Sequence, residues 1–233
     1  MNIIRFRIEG LVNSFRVPQT AVYQNTTITP TKTQIVGLLT NIMGKVEKDY
    51  YELLNELMVG IVPVKINNIF VDLWQYKKWK ESNQGRAVLT REKIFLPIYD
   101  IYIGIDNDMG LVDSLKHPRR IPALAMDDEL IMIKDVKELG KYKDVQVNKN
   151  KVNSIFIQKD DMHYFFRVYE HYRDLLIIPP RVQSINLTYN NLYIPRKSEK
   201  IVSIVEFVGG YCDLTKEIEC IHDKERDSFI ELF

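Results

Sequence analysis

Three observations predict an α+β fold. Ile4, Phe6 and Ile8 alternate with Arg5, Arg7 and Glu9, the period of two that marks a strand with one buried face, and Gly10 closes it. Ile35, Leu38, Leu39, Ile42 and Met43 recur at the spacing of a single helical face. Later blocks rich in β-branched and aromatic residues, among them IFLPIYDIYIGI, SIFIQ, VQSINLTY and KIVSIVEFV, read as further strands.

Taken in order, the first strand places Arg5 and Arg7 together on the face opposite its apolar residues. An irregular stretch rich in Thr, Gln and Asn follows, and Pro30 precedes the helix. Thr31 and Gln34 have the spacing of a capping box, and Gly44 sits where a helix end favours a left-handed residue. A second helical piece spans about residues 50–58. Residues 61–76 are extended and interrupted at Asn67 and Asn68. Residues 77–93, KKWKESNQGRAVLTREK, then break the apolar pattern as a long hairpin-like excursion with six basic and two acidic side chains. A short helix over about residues 110–115 leads into the loop LKHPRRIP, and ELIMIKDV reads as a strand. Residues 139–153 are polar and Lys-rich, as expected of a linker or exposed loop. A strand, a helix, an antiparallel strand pair and a returning helix give the order of a ferredoxin-like, or RRM-like, sheet covered on one side by helices.

The 233 residues, 45% of them hydrophobic, carry enough apolar surface to bury a core, which excludes a disordered polymer. This length suits one large domain or two small ones. No apolar run approaches the roughly 18 residues of a membrane span, and MNIIRFRIEG lacks the apolar block of a signal peptide. A cytoplasmic protein without membrane contact is expected. Cys212 and Cys220 are too few for a disulfide framework and, with only His222 nearby, lack a four-ligand zinc set. Neither a metal nor another cofactor is expected. The net charge is +1, but its distribution is uneven. Residues 1–93 hold 13 basic and 8 acidic side chains, and the remainder 19 and 23, as in a protein with one face toward phosphates and another toward protein.

Several residue types suit a single RNA strand, which is held by cations on phosphates and flat side chains under bases. Lys32, in the first turn of a helix, opposes the local dipole; a bound phosphate or simple solvation accounts for it. Arg16 follows Phe15 in a polar loop, placed for a phosphate contact or a surface salt bridge. The excursion interleaves Lys77, Lys78, Lys80, Arg86 and Arg91 with Trp74, Tyr76 and Trp79, either a strand-binding arm or an edge hairpin blunted by lysines. Arg119 and Arg120 lie between Pro118 and Pro122, facing RNA or an acidic partner. Lys116 and His117, with Tyr23 or Tyr99, are the candidates for metal-independent RNA cleavage, but adjacent residues in a strand point apart. Asp127, Asp128 and Glu129 read as a solvated turn. No phosphate-binding GxxxxGK[ST] loop is present.

The stretch FRIEGLVNSFRVPQTAVYQNTTITPTKTQIVGLLTNIMG resembles the N-terminal signature of the fifth family of CRISPR-associated proteins, in the RAMP superfamily. The likeness rests on the strand ending in Gly10, on Phe15 and Arg16, on Pro30 to Thr33, on Gly37 to Leu39 and on Gly44. Arg91, Glu92 and Lys93 agree, as does LKHPRRIPALAMDDELI, where Ala125 stands in place of an expected glycine. From Leu139 onward little is diagnostic, apart from Gly209 and Gly210. The resemblance implies a ferredoxin-like domain over 1–138 with an inserted hairpin thumb at about 77–93, and a β-rich region over 139–233. It further implies a non-catalytic subunit that caps the 5′ handle of the guide RNA (crRNA) in a type I Cascade surveillance complex for antiviral defence. Arg16, Lys32, Lys77, Lys78, Trp79, Lys80, Arg86, Arg91, Arg119 and Arg120 are the expected RNA contacts. Expected partners are the backbone RAMP subunit and the large subunit, with target DNA reached only through the complex. Two alternatives stay open: a repeat-specific endoribonuclease like the type I-C branch, and a 5′-capping RAMP subunit of a type III complex.

Overall fold

The computed structural model describes residues 1–17, 20, 23–77, 85–107, 109–170, 176–190 and 197–233. β1 (Asn2–Gly10) is followed by the short strands β2 (Val12–Asn13), β3 (Phe15–Arg16), β4 (Tyr23–Gln24) and β5 (Thr26–Thr27). Next come α1 (Lys32–Ile42), α2 (Glu47–Glu56), β6 (Met58–Lys65), β7 (Asn68–Lys77), β8 (Arg86–Phe95) and β9 (Ile98–Ile105). α3 (Leu111–Lys116) leads to β10 (Ile131–Lys141). The remainder comprises α4 (Tyr142–Val145), β11 (Gln146–Val152), β12 (Phe156–Ile157), β13 (Tyr164–Val168), β14 (Ile178–Asn190), β15 (Lys197–Val208), β16 (Gly210–Asp223) and β17 (Ser228–Ile230). Among the described residues no helix is long and apolar enough to cross a membrane.

A four-stranded antiparallel sheet in the order β10-β1-β9-β6 forms the frame. The alternation of β1 sends Ile4, Phe6 and Ile8 to one face, where they join Ile101 and Ile103 of β9 and Val59 and Ile61 of β6. Ile35, Leu38, Leu39 and Ile42 of α1, Leu53 and Leu54 of α2, and Leu111 and Leu115 of α3 close over them in one core. Each such side chain contributes about 1.5–3 kcal/mol on burial. α1 starts where the sequence signals it: the Gln34 side chain accepts the Thr31 N–H at 2.8 Å. It stops at Gly44, whose φ of 69° is left-handed, and the Arg119 N–H donates to the Ile42 carbonyl at 2.8 Å.

The opposite face of β1 differs from a solvated strand face. Arg5 is buried, and its Nη1 donates to Asp223 Oδ2 at 2.7 Å, an oxygen that also accepts the Tyr102 hydroxyl at 3.0 Å. Arg7 holds Asp100 with two bonds, 2.8 and 3.0 Å. Ile221, Ile230 and Leu232, from the end of the chain, pack there on Ile3 and Tyr102. The approach is close enough that a Cβ on Gly60 of β6 falls 2.4 Å from Ile230 Cγ2. The central sheet is therefore covered on both sides, by helices and by the C-terminal strands.

Three expectations need correcting. Residues 139–153 form no linker: β10 runs through Lys141, so the expected junction at 138/139 falls within a strand, and α4 and β11 follow. Their polar composition reflects exposure, since β11 pairs with β16 on one side only. Nor are the two regions independent: a cluster around Phe156, Phe207 and Cys212 lies wholly in the C-terminal region, but Ile155, Ile185, Ile204 and Val208 join the cluster that holds β1 and α1. Finally, the hairpin starts earlier than residue 77. β7 and β8 pair in unbroken register from Asn68 opposite Phe95 to Lys77 opposite Arg86; residues 78–84, with Lys78, Trp79 and Lys80, lie outside the described residues.

Two buried carboxylates fasten the loops. Glu206 of β15, fully buried, accepts the Ile28 and Thr29 N–H groups at 2.9 and 3.2 Å and the Thr29 hydroxyl at 3.2 Å on Oε2. Its Oε1 accepts Arg181 Nε at 2.8 Å, and Arg181 Nη2 reaches the Thr26 carbonyl at 3.0 Å. Glu129, read in the sequence as part of a solvated turn, is buried as well and accepts the Ser14 N–H at 2.8 Å. With Asn13 donating to the Leu124 carbonyl at 3.2 Å, it holds the 122–131 loop, in which Ala125 has φ 80°. This is the left-handed conformation that suits the glycine expected there, and an L-residue adopts it at a cost of about 1–2 kcal/mol.

Glu206→Ala strands two buried N–H groups and the Arg181 guanidinium, so denaturant unfolding should show a loss of about 3 kcal/mol. Glu206→Gln, which keeps one acceptor oxygen, should lose less. Ala125→Gly should raise stability by about 0.5–1 kcal/mol, the relief of strain exceeding the added freedom of the unfolded chain.

Candidate nucleic-acid interface

The Glu206 clasp fixes the segment that leads into α1. Tyr99 adds a third restraint, donating its hydroxyl to the Ile28 carbonyl at 2.6 Å from a fully buried position. Tyr99 is thereby removed from the cleavage candidates, since a buried phenol tied to a carbonyl has no route to a substrate.

Lys32 follows directly in the first turn of α1. The simple reading of a solvated lysine is wrong: only 6% of the residue is exposed. Among the described residues it has no ion-pair or hydrogen-bond partner. Burial, and then the charge of Lys200 on β15, pull its pKa down to about 8. Lys200 lies opposite Thr188 of β14, so strands from the far end of the chain bring a second cation toward the helix start. Two cations beside the positive end of a helix dipole form an electropositive site, to which no carboxylate is paired among the described residues.

The other expected contacts are spread over the surface. Arg16 is exposed on β3, its Nη2 donating to the Thr20 carbonyl at 3.4 Å. Lys77 and Arg86, both exposed, face each other directly across the hairpin, an arrangement of like charges that is unfavourable without an anion. Arg119 and Arg120 sit at the opposite end of α1 from Lys32. Arg119 packs against Gly44, and Arg120 Nη1 lies 3.5 Å from the Lys45 carbonyl. Both are exposed, as are Lys116 and His117 at the end of α3.

Arg91 is a correction. It is 4% exposed, its Nε donates to the Ser14 hydroxyl, and its Nη2 lies 3.6 Å from Glu129. Its guanidinium also stacks over Trp74, 4.9 Å from the ring centroid, and Lys93 sits 5.2 Å from the same ring. Glu92 accepts the Thr26 N–H at 3.1 Å. The Arg91, Glu92 and Lys93 motif therefore anchors the base of the hairpin to the loops before α1 and is not left open to a phosphate. Its basic and aromatic residues bind one another because β8 lies inside its sheet, between β7 on one side and β2 and β4 on the other.

Lys200, Tyr189 and Lys45 escape a reading of the sequence. Each lies in an ordinary polar stretch, and only strand pairing or a helix end carries it to α1.

Residues 3–96 match the sequence model of a family described as CRISPR-associated protein (Cas_Cas5). Among curated proteins none matches. Among solved structures, the chain is similar to one described as a CRISPR RNA-guided surveillance complex, with 13% identity, 94% of this chain and 91% of that chain covered, and a TM-score of 0.57. A crystal structure of a Cas protein is 18% identical over 55% of this chain and 58% of that one, with a TM-score of 0.41. A chain of the type III-B Cmr-beta complex bound to cognate target RNA and AMPPnP is 12% identical over 89% and 85%, with a TM-score of 0.49. The family's pattern thus runs from β1 through α1 to the end of β8, and the fold of the surveillance-complex structure extends over nearly the whole length of this chain.

Proposed function

We propose that this chain is a non-catalytic RNA-binding subunit that holds the 5′ handle of the guide RNA in a CRISPR surveillance complex of the type I Cascade class. The observation that carries this reading is Lys32, buried, cationic and without a partner among the described residues, beside Lys200 at the head of α1. Leaving a charge so placed is unfavourable unless an anion completes the site, and a phosphodiester supplies one at each nucleotide. The opposed Lys77 and Arg86 of the hairpin gain from an anion in the same way.

The frame is consistent with this role. The order β10-β1-β9-β6, with α1 and α2 between β1 and β6 and α3 between β9 and β10, supports a ferredoxin-like domain. The β7–β8 pair inserted between β6 and β9 supports a thumb. The backbone RAMP subunit and the large subunit are the proposed neighbours, and target DNA is met only through the assembled complex.

Binding of labelled single-stranded repeat RNA, followed by fluorescence anisotropy, tests the reading. Lys32→Ala should weaken binding and reduce the slope of log K against log salt by about 0.7, the share of one phosphate contact on a single strand. Unchanged affinity and slope would refute the assignment of Lys32. A second measurement uses pH. Lys32 binds an anion only when protonated, so affinity should fall as pH rises through about 8, and Lys32→Arg should flatten that fall while keeping the contact. The non-catalytic role has its own check: incubation with repeat RNA in EDTA should leave the RNA intact, whereas a discrete cut lost in His117→Ala would establish a nuclease.

A further inference from the structure

Lys32 and Lys200 account for the head of α1 but not for its flank. There a cleft of about 590 Å³ lies between α1, the 120–127 loop and Tyr189 of β14. Gln34, Gly37 and Asn41 line it on one stripe of the helix, and Lys45 lies just beyond the helix end.

Gly37 is the anomaly. A glycine inside a helix weakens it relative to alanine, yet a Cβ at this position meets nothing within 4 Å. The packing of the chain itself therefore gives no reason for the glycine; what it provides is room in the floor of the cleft. The walls carry matched hydrogen-bonding groups. Gln34 Oε1 is taken by the Thr31 N–H, which leaves its amide NH₂ to donate. Asn41 Nδ2 donates to the Ile121 carbonyl at 3.0 Å, which leaves its Oδ1 to accept. Two basic residues, Lys45 and Arg120, and two acidic ones, Glu47 and Asp127, line the cleft, so the lining carries no net charge that would favour a phosphate. A flat, uncharged group with donors and acceptors on its edge fits these walls, with Tyr189 and Met126 offering a ring and a thioether to pack on it.

We infer that this cleft is a base-binding subsite that takes one unpaired nucleobase from the RNA strand whose phosphate lies at Lys32 and Lys200. The inference rests on the RNA-binding reading above and adds base recognition to it. Lys32 immediately precedes Thr33 and Gln34, which line the cleft, so the two sites are contiguous along α1. The cleft's volume falls within the range of about 300–1,000 Å³ typical of small-ligand sites.

The test compares labelled single-stranded repeat RNA with copies carrying one abasic residue at each position in turn, bound to the full chain. Wild-type protein should show one position whose abasic copy binds about tenfold more weakly, as expected for loss of one stacked base. Gly37→Met, which fills the cleft and favours the helix, should leave the melting temperature unchanged or higher. It should weaken binding of intact RNA about tenfold and abolish the sensitivity to that abasic position. Should Gly37→Met fail to fold, Asn41→Leu gives the same readout. The inference is overturned if no abasic position matters, if the folded variants bind intact RNA as wild type does, or if they fail only to assemble with protein subunits, which would make the cleft a protein-docking surface. Failure of the underlying reading looks different: Lys32→Ala would then leave RNA affinity and its salt dependence intact.

Discussion

A single buried carboxylate decides where the head of α1 stands. Glu206 belongs to a strand near the end of the chain, and its ligands, the Ile28 and Thr29 N–H groups and the Thr29 hydroxyl, belong to the segment just before the helix. Burial pushes its carboxyl pKa upward, and Arg181 with the backbone donors pulls the other way. A carboxylate without those partners does not survive in an apolar interior, and the loop without the carboxylate leaves buried donors unpaired. Each half of the chain completes the other's hydrogen bonds, so the N-terminal helix and the C-terminal strands are positioned as one body.

The same logic governs the far side of the central sheet. β1 alternates isoleucine and phenylalanine with arginine, and a strand patterned in this way usually leaves its charged face to water. Here the C-terminal strands cover that face, and the arginines stay charged because Asp223 and Asp100 meet them in good geometry. Tyr102 occupies the same Asp223 oxygen that Arg5 uses. Polar pairs of this kind add little net stability compared with apolar packing, but they fix the register of one layer on another.

Against this well-satisfied background Lys32 stands out. Arg5, Arg7, Arg91 and Arg181 each have a carboxylate within the chain, whereas Lys32 is buried with none and faces a second lysine. With carboxylates paired to those arginines and none paired to Lys32 among the described residues, the head of α1 is the natural place for an anion from outside. The neutral cleft on the flank of the same helix differs in kind. Its glycine floor and paired amides match a base in the way that the two lysines match a phosphate, so one helix presents both chemistries of a single strand.

Much of the frame was legible in the sequence because its signals are local. The period of two in Ile4, Phe6 and Ile8, the helical spacing from Ile35 to Ile42, the Thr31–Gln34 cap and the left-handed stop at Gly44 all follow from interactions within a few residues. β16 left no such signal, because its apolar positions are interrupted by Asp213, Lys216, Glu217 and Glu219. β11 reads as a linker or exposed loop because an edge strand tolerates polar residues on most positions. The basic residues were legible as residues but not as contacts: Arg91 had the composition of an RNA ligand and is an internal anchor, since Ser14, Glu129 and Trp74 converge on it from distant segments. Sequence alone determined that a helix begins at Lys32, through the proline and cap beside it. Tertiary structure alone decided that this lysine is buried, without a partner among the described residues and opposed by Lys200, because the depth and field around a side chain are set by strands that reach it only when the chain has folded.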